Sequence, residues 1–294
     1  MRPAPKDDSI VHRCHSGPVP VMGNVLALVT STDPWSGAAQ MATALAARWE
    51  YALTGCGIDP AWRELGASEA STPTPASQLS RRETAEDGAR LRLFARERGV
   101  TEAVVWSRAR AGIAHVLRTL GAWHDLAVLE RDMVAPDAAP EHLGEALLGS
   151  RVPCLVLPPM TDLEVPDGTF QRIVVAWNGS QEATRALQAA RPLLRCAREI
   201  HLLDGAYTHV ENNDGLPMFD PQQALGRLGV PVVSTRVDTD VARAGEALLD
   251  ATRRMRADLL VMGAYGRSLM RERAIGGATR YLLAHADLPV LMQH

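Results

Sequence analysis

The residues whose spacing could support chemistry are glycines near the end of the chain. An apolar run at 259–262 ends in Gly263 and Gly266, and nine residues later Gly276 and Gly277 open an amphipathic stretch. Glycines have no β-carbon, so their backbone N–H groups can approach a ligand closely. A helix N-terminus adds unpaired N–H donors and the positive end of the helix dipole. The pattern predicts a phosphate-binding loop, with a tight strand-to-helix connection without ligand as the alternative.

Short apolar strands that alternate with helical stretches position this loop. This alternation indicates βαβ units and parallel sheets. The strands that open the two halves are alike (25–30 and 173–178), as are those that close them (151–157 and 286–292), which gives an internal repeat of about 140 residues. We therefore predict an α/β fold with two tandem doubly wound parallel five-stranded sheets. Such sheets bind ligands beyond the carboxyl ends of their strands, where the strand order reverses.

The remaining predicted elements follow the same order in both halves. The predicted inner strands are 51–58, 103–106, 126–130, 199–203, 230–237 and 259–262. The predicted helices are 35–50, 81–98, 113–122, 141–148, 181–196, 221–228, 241–256 and 277–284. The predicted divisions of the chain are a loose leader at 1–22, a first domain at 23–158, a Pro/Asp/Gly-rich linker at 159–170 and a second domain at 171–294.

Composition argues against several classes of protein. Apolar residues make up 46% of the chain and charged residues 22%, which is typical of globular domains. A net charge of −3 offers no broad basic surface for nucleic acid or membrane. No apolar run reaches the length of a membrane span, and residues 1–22 lack a signal-peptide core, so we expect a cytoplasmic protein. Lys6 is the single lysine, which disfavours P-loop NTPases. The four scattered cysteines are expected to be free thiols.

The glycine spacing also matches a known family. Gly263, Gly266 and Gly276, with Met262 before them and Thr279 after them, resemble the ATP-binding loop of universal stress proteins. The binding residues of the family can therefore be transferred to this loop and to the end of the first strand of the second half.

Two further stretches extend this resemblance. Residues 175–180 look like the first strand and turn of the family, and 288–292 look like its last strand. The similarity covers 172–294 well and 23–158 more loosely, so the chain resembles a tandem member with the adenine nucleotide alpha hydrolase-like fold. Single-domain members pair through their last strands, which implies an intramolecular pseudo-dimer here. A homodimer of the tandem chain is left open.

The resemblance implies a set of binding residues. It assigns to the ribose and phosphates Met262, Gly263, Gly266, Gly276, Gly277, Ala278 and Thr279, and to the base and ribose Ala176, Trp177 and Asn178. Arg267 flanks the loop and could steer phosphate oxygens or face solvent.

Three side chains at or near this set have alternatives that the sequence leaves open. Trp177 could stack on a base or be buried in the core, and Thr279 could bind phosphate or cap its helix. Asp204 ends a strand near the predicted pocket and could contact the ligand or form a turn.

Two positions depart from the family pattern. The family usually has Asp where this chain has Asn178, and Ser or Thr where it has Gly277. Asn178 can still donate and accept but supplies no negative charge, and Gly277 removes one hydroxyl donor, so each change costs about 1 kcal/mol. In the first half, the corresponding loop at 131–137 has no glycines, and Asp132 and Asp137 would repel phosphates. We therefore expect nucleotide binding in the second half alone.

The leading functional expectation is a stress-response regulatory protein that binds ATP, ADP or AMP, with Mg²⁺ as the accompanying ion of ATP. Turnover would be little or none, at most slow ATP hydrolysis, because the loop offers no evident base. The alternative is a scaffold with degenerate pockets that binds a small molecule, lipid or protein. An adenylyltransferase is disfavoured because the loop has no His or Lys to contact the α-phosphate.

Overall fold

The computed structural model describes residues 23–59, 79–109, 111–135, 138–159, 168–205, 219–237, 239, 241–264 and 277–294. The predicted leader at 1–22, most of the predicted linker and the glycine loop at 265–276 lie outside these residues. Among the described helices, none is long and apolar enough to cross a membrane.

The described part of the first half contains five strands and four α-helices. Their bounds are β1 Asn24–Val29, α1 Gly37–Trp49, β2 Ala52–Ile58, α2 Leu79–Glu97, β3 Val104–Ala109, α3 Ile113–Leu120, β4 Leu126–Glu130, α4 Ala139–Gly149 and β5 Cys154–Leu157. Short 3₁₀ turns follow α3 at Gly121–Trp123 and β4 at Arg131–Met133.

The described part of the second half repeats the five strands. Its elements are β6 Arg172–Trp177, α5 Gln181–Ala189, α6 Arg191–Leu194, β7 Glu199–Gly205, α7 Pro221–Gly226, β8 Val232–Val237, α8 Ala244–Met255, β9 Leu259–Gly263, α9 Gly277–His285 and β10 Val290–Gln293. A 3₁₀ turn at Val241–Arg243 leads into α8, where the sequence predicted helix from residue 241.

The ten described strands form one sheet in the order β3-β2-β1-β4-β5-β10-β9-β6-β7-β8. Within each half the strands are parallel and follow the same order, which confirms the doubly wound α/β class. The halves meet where β5 and β10 pair antiparallel, with Leu155 opposite Leu291. The expected pairing of last strands is therefore present within one chain, and the two predicted sheets are one continuous sheet.

The core lies on both faces of this sheet, because alternate residues of a strand point to opposite faces. In β1, Val25 packs with α1 and α2, whereas Leu26 packs with α3 and α4. In β6, Val175 packs with α5, whereas Val174 packs with α8 and α9. Strands that are buried on both faces have continuous apolar sequences, which is why the sequence predicts them well.

The closing strand of each half starts later than predicted, at Cys154 and at Val290. A proline stands directly before each strand, and proline has no N–H to donate to a ladder. The carbonyls of Pro153 and Pro289 still accept hydrogen bonds from the neighbouring parallel strand, at 2.9 and 3.0 Å. The internal repeat thus extends to the hydrogen bonds that begin each closing strand.

The predicted continuous helix at 181–196 is wrong, because it consists of two helices. Helix α5 ends at Ala189 and α6 begins at Arg191. Pro192 explains the break, since it lacks an N–H and its ring would clash with the carbonyl of Gln188 four residues earlier.

The cysteines depart from expectation at one position. Cys56 and Cys154 are buried free thiols, and burial raises the pKa of Cys154 to about 12, so this thiol stays protonated. Cys196 is disulfide-bonded, so the expectation of four free thiols is wrong there. It is half-buried just after α6. Cys14 lies outside the described residues.

Candidate functional site

The predicted site lies where β6 and β9 end side by side. The two strands are parallel neighbours, with Ala176 opposite Met262 near their carboxyl ends. The chain leaves β6 toward α5 on one face of the sheet and leaves β9 toward α9 on the other face. Such a reversal separates the two connections and creates the crevice in which doubly wound sheets bind ligands.

Helix α9 directs its amino end to the same edge of the sheet. It connects β9 to β10, and because these strands are parallel, the helix must run back from the carboxyl edge to the amino edge. Gly277 is exposed at its start, Ala278 is half-buried, and Thr279 is only 2% exposed. The first N–H groups of a helix have no partner within it, so α9 brings donors and a positive dipole end to this edge.

Asn178 follows β6 and forms the turn into α5. Its Oδ1 accepts a hydrogen bond from the N–H of Ser180 at 3.1 Å, and Gly179 adopts a positive φ of 73°. The Ser180 hydroxyl caps α5 by accepting from the N–H of Ala183 at 3.1 Å. Asn178 is exposed, and among the described residues its amide nitrogen has no hydrogen-bond partner. The side chain therefore offers a donor at the rim of the crevice.

Trp177 lies in the core. Its side chain is 6% exposed, and its ring centroid is 5.4 Å from that of Phe219. It belongs to the face of the sheet that packs against α5, together with Ile173 and Val175. Of the two roles that the sequence allows, burial in the core agrees with this placement.

Gly263 allows β9 and α5 to touch backbone to backbone. A β-carbon at this position would come closer than 3.0 Å to backbone atoms of Glu182 and Ala183 in the first turn of α5. A β-carbon at Gly277 would meet nothing within 4 Å. The sequence pattern treats these glycines alike, yet only Gly263 is required by the packing of the described residues.

The structure thus brings part of the predicted set together. Near the two strand ends lie Ala176, Asn178, Met262 and Gly263, and α9 contributes Gly277, Ala278 and Thr279. Gly266, Arg267 and Gly276 lie outside the described residues. Within the described part of the chain, no group of three His, Cys, Asp or Glu side chains could hold a metal ion.

Asp204 is a further polar residue at this edge, which the family pattern does not include. Strand β7 lies beside β6, with Asp204 opposite Trp177. Its Oδ1 is buried, and among the described residues it has no hydrogen-bond partner. A buried acceptor without a donor is costly and calls for an explanation. The signal in the sequence was a carboxylate at the end of an apolar strand, and this signal alone does not distinguish a ligand contact from a turn.

A separate cavity of about 450 Å³ runs along α8. One face of α8 and the residues of β7 and β8 line it, and no residue of β6 or β9 does. Its charged lining residues are Arg236, Arg243, Glu246, Asp250 and Arg254. Arginines and carboxylates are mixed, and Arg243 pairs with Glu246 at 3.1 Å, so neither sign of charge dominates. The volume is that of a small-molecule site, but the cavity is distinct from the crevice between β6 and β9.

In the first half, the carboxylate at the end of β4 is Glu130, and not Asp132 or Asp137 as the sequence analysis expected. Asp132 is exposed on the 3₁₀ turn after β4, and Asp137 lies outside the described residues. Glu130, the last residue of β4, is buried with 4% exposure. The sequence analysis assigned Glu130 to a strand and gave it no role in the site.

Glu130 joins β4 to the loop after β1 and to α1. Its Oε1 accepts from the N–H of Gly37 at 2.7 Å, and its Oε2 accepts from the hydroxyl of Thr30 at 2.9 Å. Burial raises the pKa of this carboxyl and Asp132 raises it further, although hydrogen bonds from Thr30, Gly37 and Ser36 act in the opposite direction. Glu130 ends β4 as Gly263 ends β9.

The comparisons with known proteins identify the second half. Residues 169–294 match the sequence model of the Universal stress protein family. The likeness to universal stress proteins therefore covers the second half of the chain.

Two relatives support the same assignment. The chain is 29% identical over 138 residues to the "Universal stress protein in QAH/OAS sulfhydrylase 3'region" of Thermus aquaticus, a match that covers 42% of this chain and 98% of that protein. It is 27% identical over 140 residues to the universal stress protein Slr1230 of Synechocystis, over 47% of this chain. That match spans 46% of the Synechocystis protein, which is less than half its length.

Solved structures extend the likeness of fold to the whole chain. A universal stress protein from Archaeoglobus fulgidus superposes with a TM-score of 0.62 at 13% identity, covering 93% of this chain and 96% of that one. A functionally unknown protein from Pseudomonas aeruginosa superposes with a TM-score of 0.55 at 12% identity, covering 92% of each chain. At these identities the likeness shows the fold alone.

Substitution by alanine should have different effects on stability at Gly263 and at Gly277. Gly263→Ala should lower the free energy of unfolding by about 1–3 kcal/mol, because its β-carbon would collide with the backbone of α5. Gly277→Ala is the matched control and should be neutral or slightly stabilising, because it meets open space and favours helix. Urea unfolding measures both variants, and equal losses would contradict the close contact.

The raised pKa of Glu130 predicts a cost of folding that depends on pH. The folded state holds this proton more tightly than the unfolded state, so stability is lost as the pH rises from about 4 through the folded-state pKa. Glu130→Gln cannot titrate, so the unfolding free energy of wild type minus that of the variant should fall as the pH rises from about 4 to 7. Glu145→Gln, an exposed carboxylate on α4, should give a flat difference. A rising difference for Glu130→Gln would refute the assignment.

Proposed function

We propose that the protein is a stress-response regulator that binds ATP or a related adenine nucleotide in its second half, with little or no turnover. The observation that supports this most is the crevice between β6 and β9: the polar side chain of Asn178 follows one strand, and α9 begins at the same edge of the sheet. The resemblance of residues 262–279 to the ATP-binding loop of the family supports the same assignment.

In this proposal the phosphates bind at the amino end of α9. The helix offers unpaired N–H groups and a positive dipole end, which together favour an anion. Gly277 is exposed and leaves space for a phosphate to approach the backbone. Gly266, Gly276 and Arg267 would complete the phosphate contacts, and Mg²⁺ would accompany ATP through its phosphate oxygens.

The nucleoside then extends from the phosphates across β6. Met262 and Ala176 would lie beneath it, and the Oδ1 of Asn178 would accept a hydrogen bond from a ribose hydroxyl, a contact that a charged carboxylate would strengthen. Trp177 would support this wall from within the core rather than by stacking, because its ring packs on Phe219.

We expect little ATP hydrolysis, because the carboxylate of Asp204 lies away from the proposed position of the terminal phosphate. Hydrolysis requires a base or positioning group beside the water that attacks the terminal phosphate. Asp204 is on β7, which lies on the opposite side of β6 from β9 and α9. Asp204 lies opposite Trp177, so its side chain shares the face of the sheet that packs against α5, away from α9.

Isothermal titration calorimetry with ATP, ADP and AMP tests the proposal. At least one of them should bind with a dissociation constant of about 1 mM or lower, equivalent to ~4 kcal/mol. Repeating the ATP titration with and without Mg²⁺ measures the contribution of the metal. Absence of binding by all three nucleotides at millimolar concentration would reject the function.

Restoring the two departures from the family pattern should tighten binding. A serine hydroxyl at position 277 enters open space, and an aspartate at position 178 can still accept the hydrogen bond from Ser180. Asn178→Asp and Gly277→Ser should each increase ATP affinity about fivefold, the effect of ~1 kcal/mol. Gly149→Ser places a hydroxyl in open space in the first half and should change nothing. Unchanged affinity in both test variants would show that ATP does not bind in the family's manner.

The second candidate is a regulator that binds a small molecule, lipid or protein other than a nucleotide. The 450 Å³ cavity along α8 favours it, since it offers a ligand-sized space away from the nucleotide crevice. The same variants discriminate the two functions. A wild-type protein that ignores nucleotides, together with variants that gain strong ATP binding, would indicate a crevice that has lost its nucleotide role.

A further inference from the structure

Strand β8 forms the edge of the second half, and much of its surface is open. Four of its six residues are exposed, and no described strand lies beside its outer edge. Thr235 lies opposite Leu203, so the face that it shares with Val233 and Val237 is the face on which α8 lies. Thr235 and Val237 line the 450 Å³ cavity, so α8 does not close over them, and Val233 is 50% exposed.

The equivalent edge strand of the first half, β3, is better covered. Helix α2 has 19 residues and packs against β3, whereas α7, which packs on β8, has six. Two of the six residues of β3 are exposed, and Trp106 contacts Trp35 with ring centroids 6.0 Å apart. Strand β8 contains no proline, and its register with β7 is continuous. An exposed edge without such protection is a template for another β-strand.

One hydrogen bond shows which backbone groups of β8 point outward. The carbonyl of Pro231 accepts from the N–H of Ile200 in β7 at 2.9 Å, so the backbone of Pro231 points to β7. Backbone groups of alternate residues in a strand point to opposite sides. The residues whose N–H and C=O point away from β7 are therefore Val232, Ser234 and Arg236.

We propose that β8 pairs antiparallel with β8 of a second copy of this chain, with Ser234 on the twofold axis. In an antiparallel pair, two residues whose backbone groups face each other exchange both hydrogen bonds. An outward-pointing residue must therefore lie opposite an outward-pointing residue of the second copy, which excludes a shift of one residue. With Ser234 on the axis, all outward-pointing residues of both strands are paired, whereas a larger shift leaves some of them without a partner.

The side chains are compatible with this register. Val233 lies opposite Thr235 of the second copy on the α8 face, and cross-strand pairs of β-branched residues are stabilising. Arg236 lies opposite Val232 of the second copy, so the two arginines are at opposite ends of the ladder and like charges do not meet. The same patch serves both copies, as a twofold interface requires.

The protein already contains a contact of this kind. The antiparallel pairing of β5 with β10 joins its two halves through strands of four residues each. The proposed dimer would extend the sheet at its other end, two strands away from the crevice between β6 and β9. The inference is therefore independent of nucleotide binding.

Sedimentation of the full-length protein from about 1 to 200 µM tests the dimer. The average mass of wild type should rise with concentration toward that of two chains. Ser234→Pro should weaken this association at least about tenfold, because it removes the outward N–H at the axis. The substitution leaves the hydrogen bonds to β7 intact, and an edge strand accepts proline where its N–H would face solvent.

Charges at the axis give a test that a folding defect cannot imitate. Ser234→Lys and Ser234→Glu should each weaken self-association about tenfold, because identical charges would face each other across the axis. An equimolar mixture of the two variants should associate again, because opposite charges would then face each other. Val105→Lys is the matched control, since Val105 is about half exposed on the other edge strand, β3. It should associate as wild type does.

Three results would overturn the proposal. Wild type that stays monomeric up to the highest concentration would reject the dimer and leave this edge to a strand of a different protein. Equal weakening by Ser234→Pro and Val105→Lys would show that β8 is not the specific contact. A mixture of Ser234→Lys and Ser234→Glu that stays monomeric would show that Ser234 does not lie at the axis.

Discussion

The architecture depends on the antiparallel pairing of β5 with β10. Each of these strands has four residues and all eight are buried, with Leu155 opposite Leu291 at the centre. This pairing turns two five-stranded parallel sheets into one, because it joins the strand that would otherwise be an edge in each half. The contact is wider than the ladder, since α4 packs on α9 and the side-chain amide of Gln293 donates to the carbonyl of Arg151 at 3.2 Å. The edges of the combined sheet are β3 and β8, where Val105 and Val233 remain about half exposed.

The two halves use different chemistry at equivalent strand ends. In the second half Gly263 brings β9 against the first turn of α5 without any side chain between them. In the first half Glu130 places a carboxylate between β4 and the start of α1, and the N–H of Gly37 and the hydroxyl of Thr30 satisfy it. The first-half loop is also tied to α2, because Arg90 donates to the carbonyl of Thr32 at 2.8 Å. The repeat therefore preserves the strand order while the strand ends have diverged.

Much of the fold could be predicted from the sequence because buried parallel strands have a strong local signature. Leu126–Glu130 is a continuous apolar run before its last residue, and both of its bounds agree with the prediction. Boundaries set by one local residue were predicted less well. Pro153 and Pro289 delay the closing strands, and Pro192 divides a helix that otherwise has a continuous helical pattern. Each of these effects follows from the missing N–H of proline, which apolar periodicity does not register.

The site was less accessible to sequence reasoning, since the roles of its residues depend on partners that are distant in sequence. Nothing local distinguishes Gly263, which contacts α5, from Gly277, which faces open space. Trp177 follows the apolar pattern of β6, but only its packing with Phe219, more than 40 residues later, shows which way the ring points. Asp204 and Glu130 are both carboxylates at strand ends, and their hydrogen bonds distinguish them: Glu130 has two donors, whereas Asp204 Oδ1 has none in the described part of the chain.

The antiparallel sense of the β5–β10 pair has a geometric consequence for communication within the molecule. The strands of the first half run opposite to those of the second half. The carboxyl ends of the strands, here called the rim of each half, therefore lie at opposite edges of the sheet. No single small ligand can span both rims, and a macromolecule that docks on one rim leaves the other uncovered. Helix α9, with its amino end at one rim and its flank against α4, joins the β5–β10 ladder in linking the two halves.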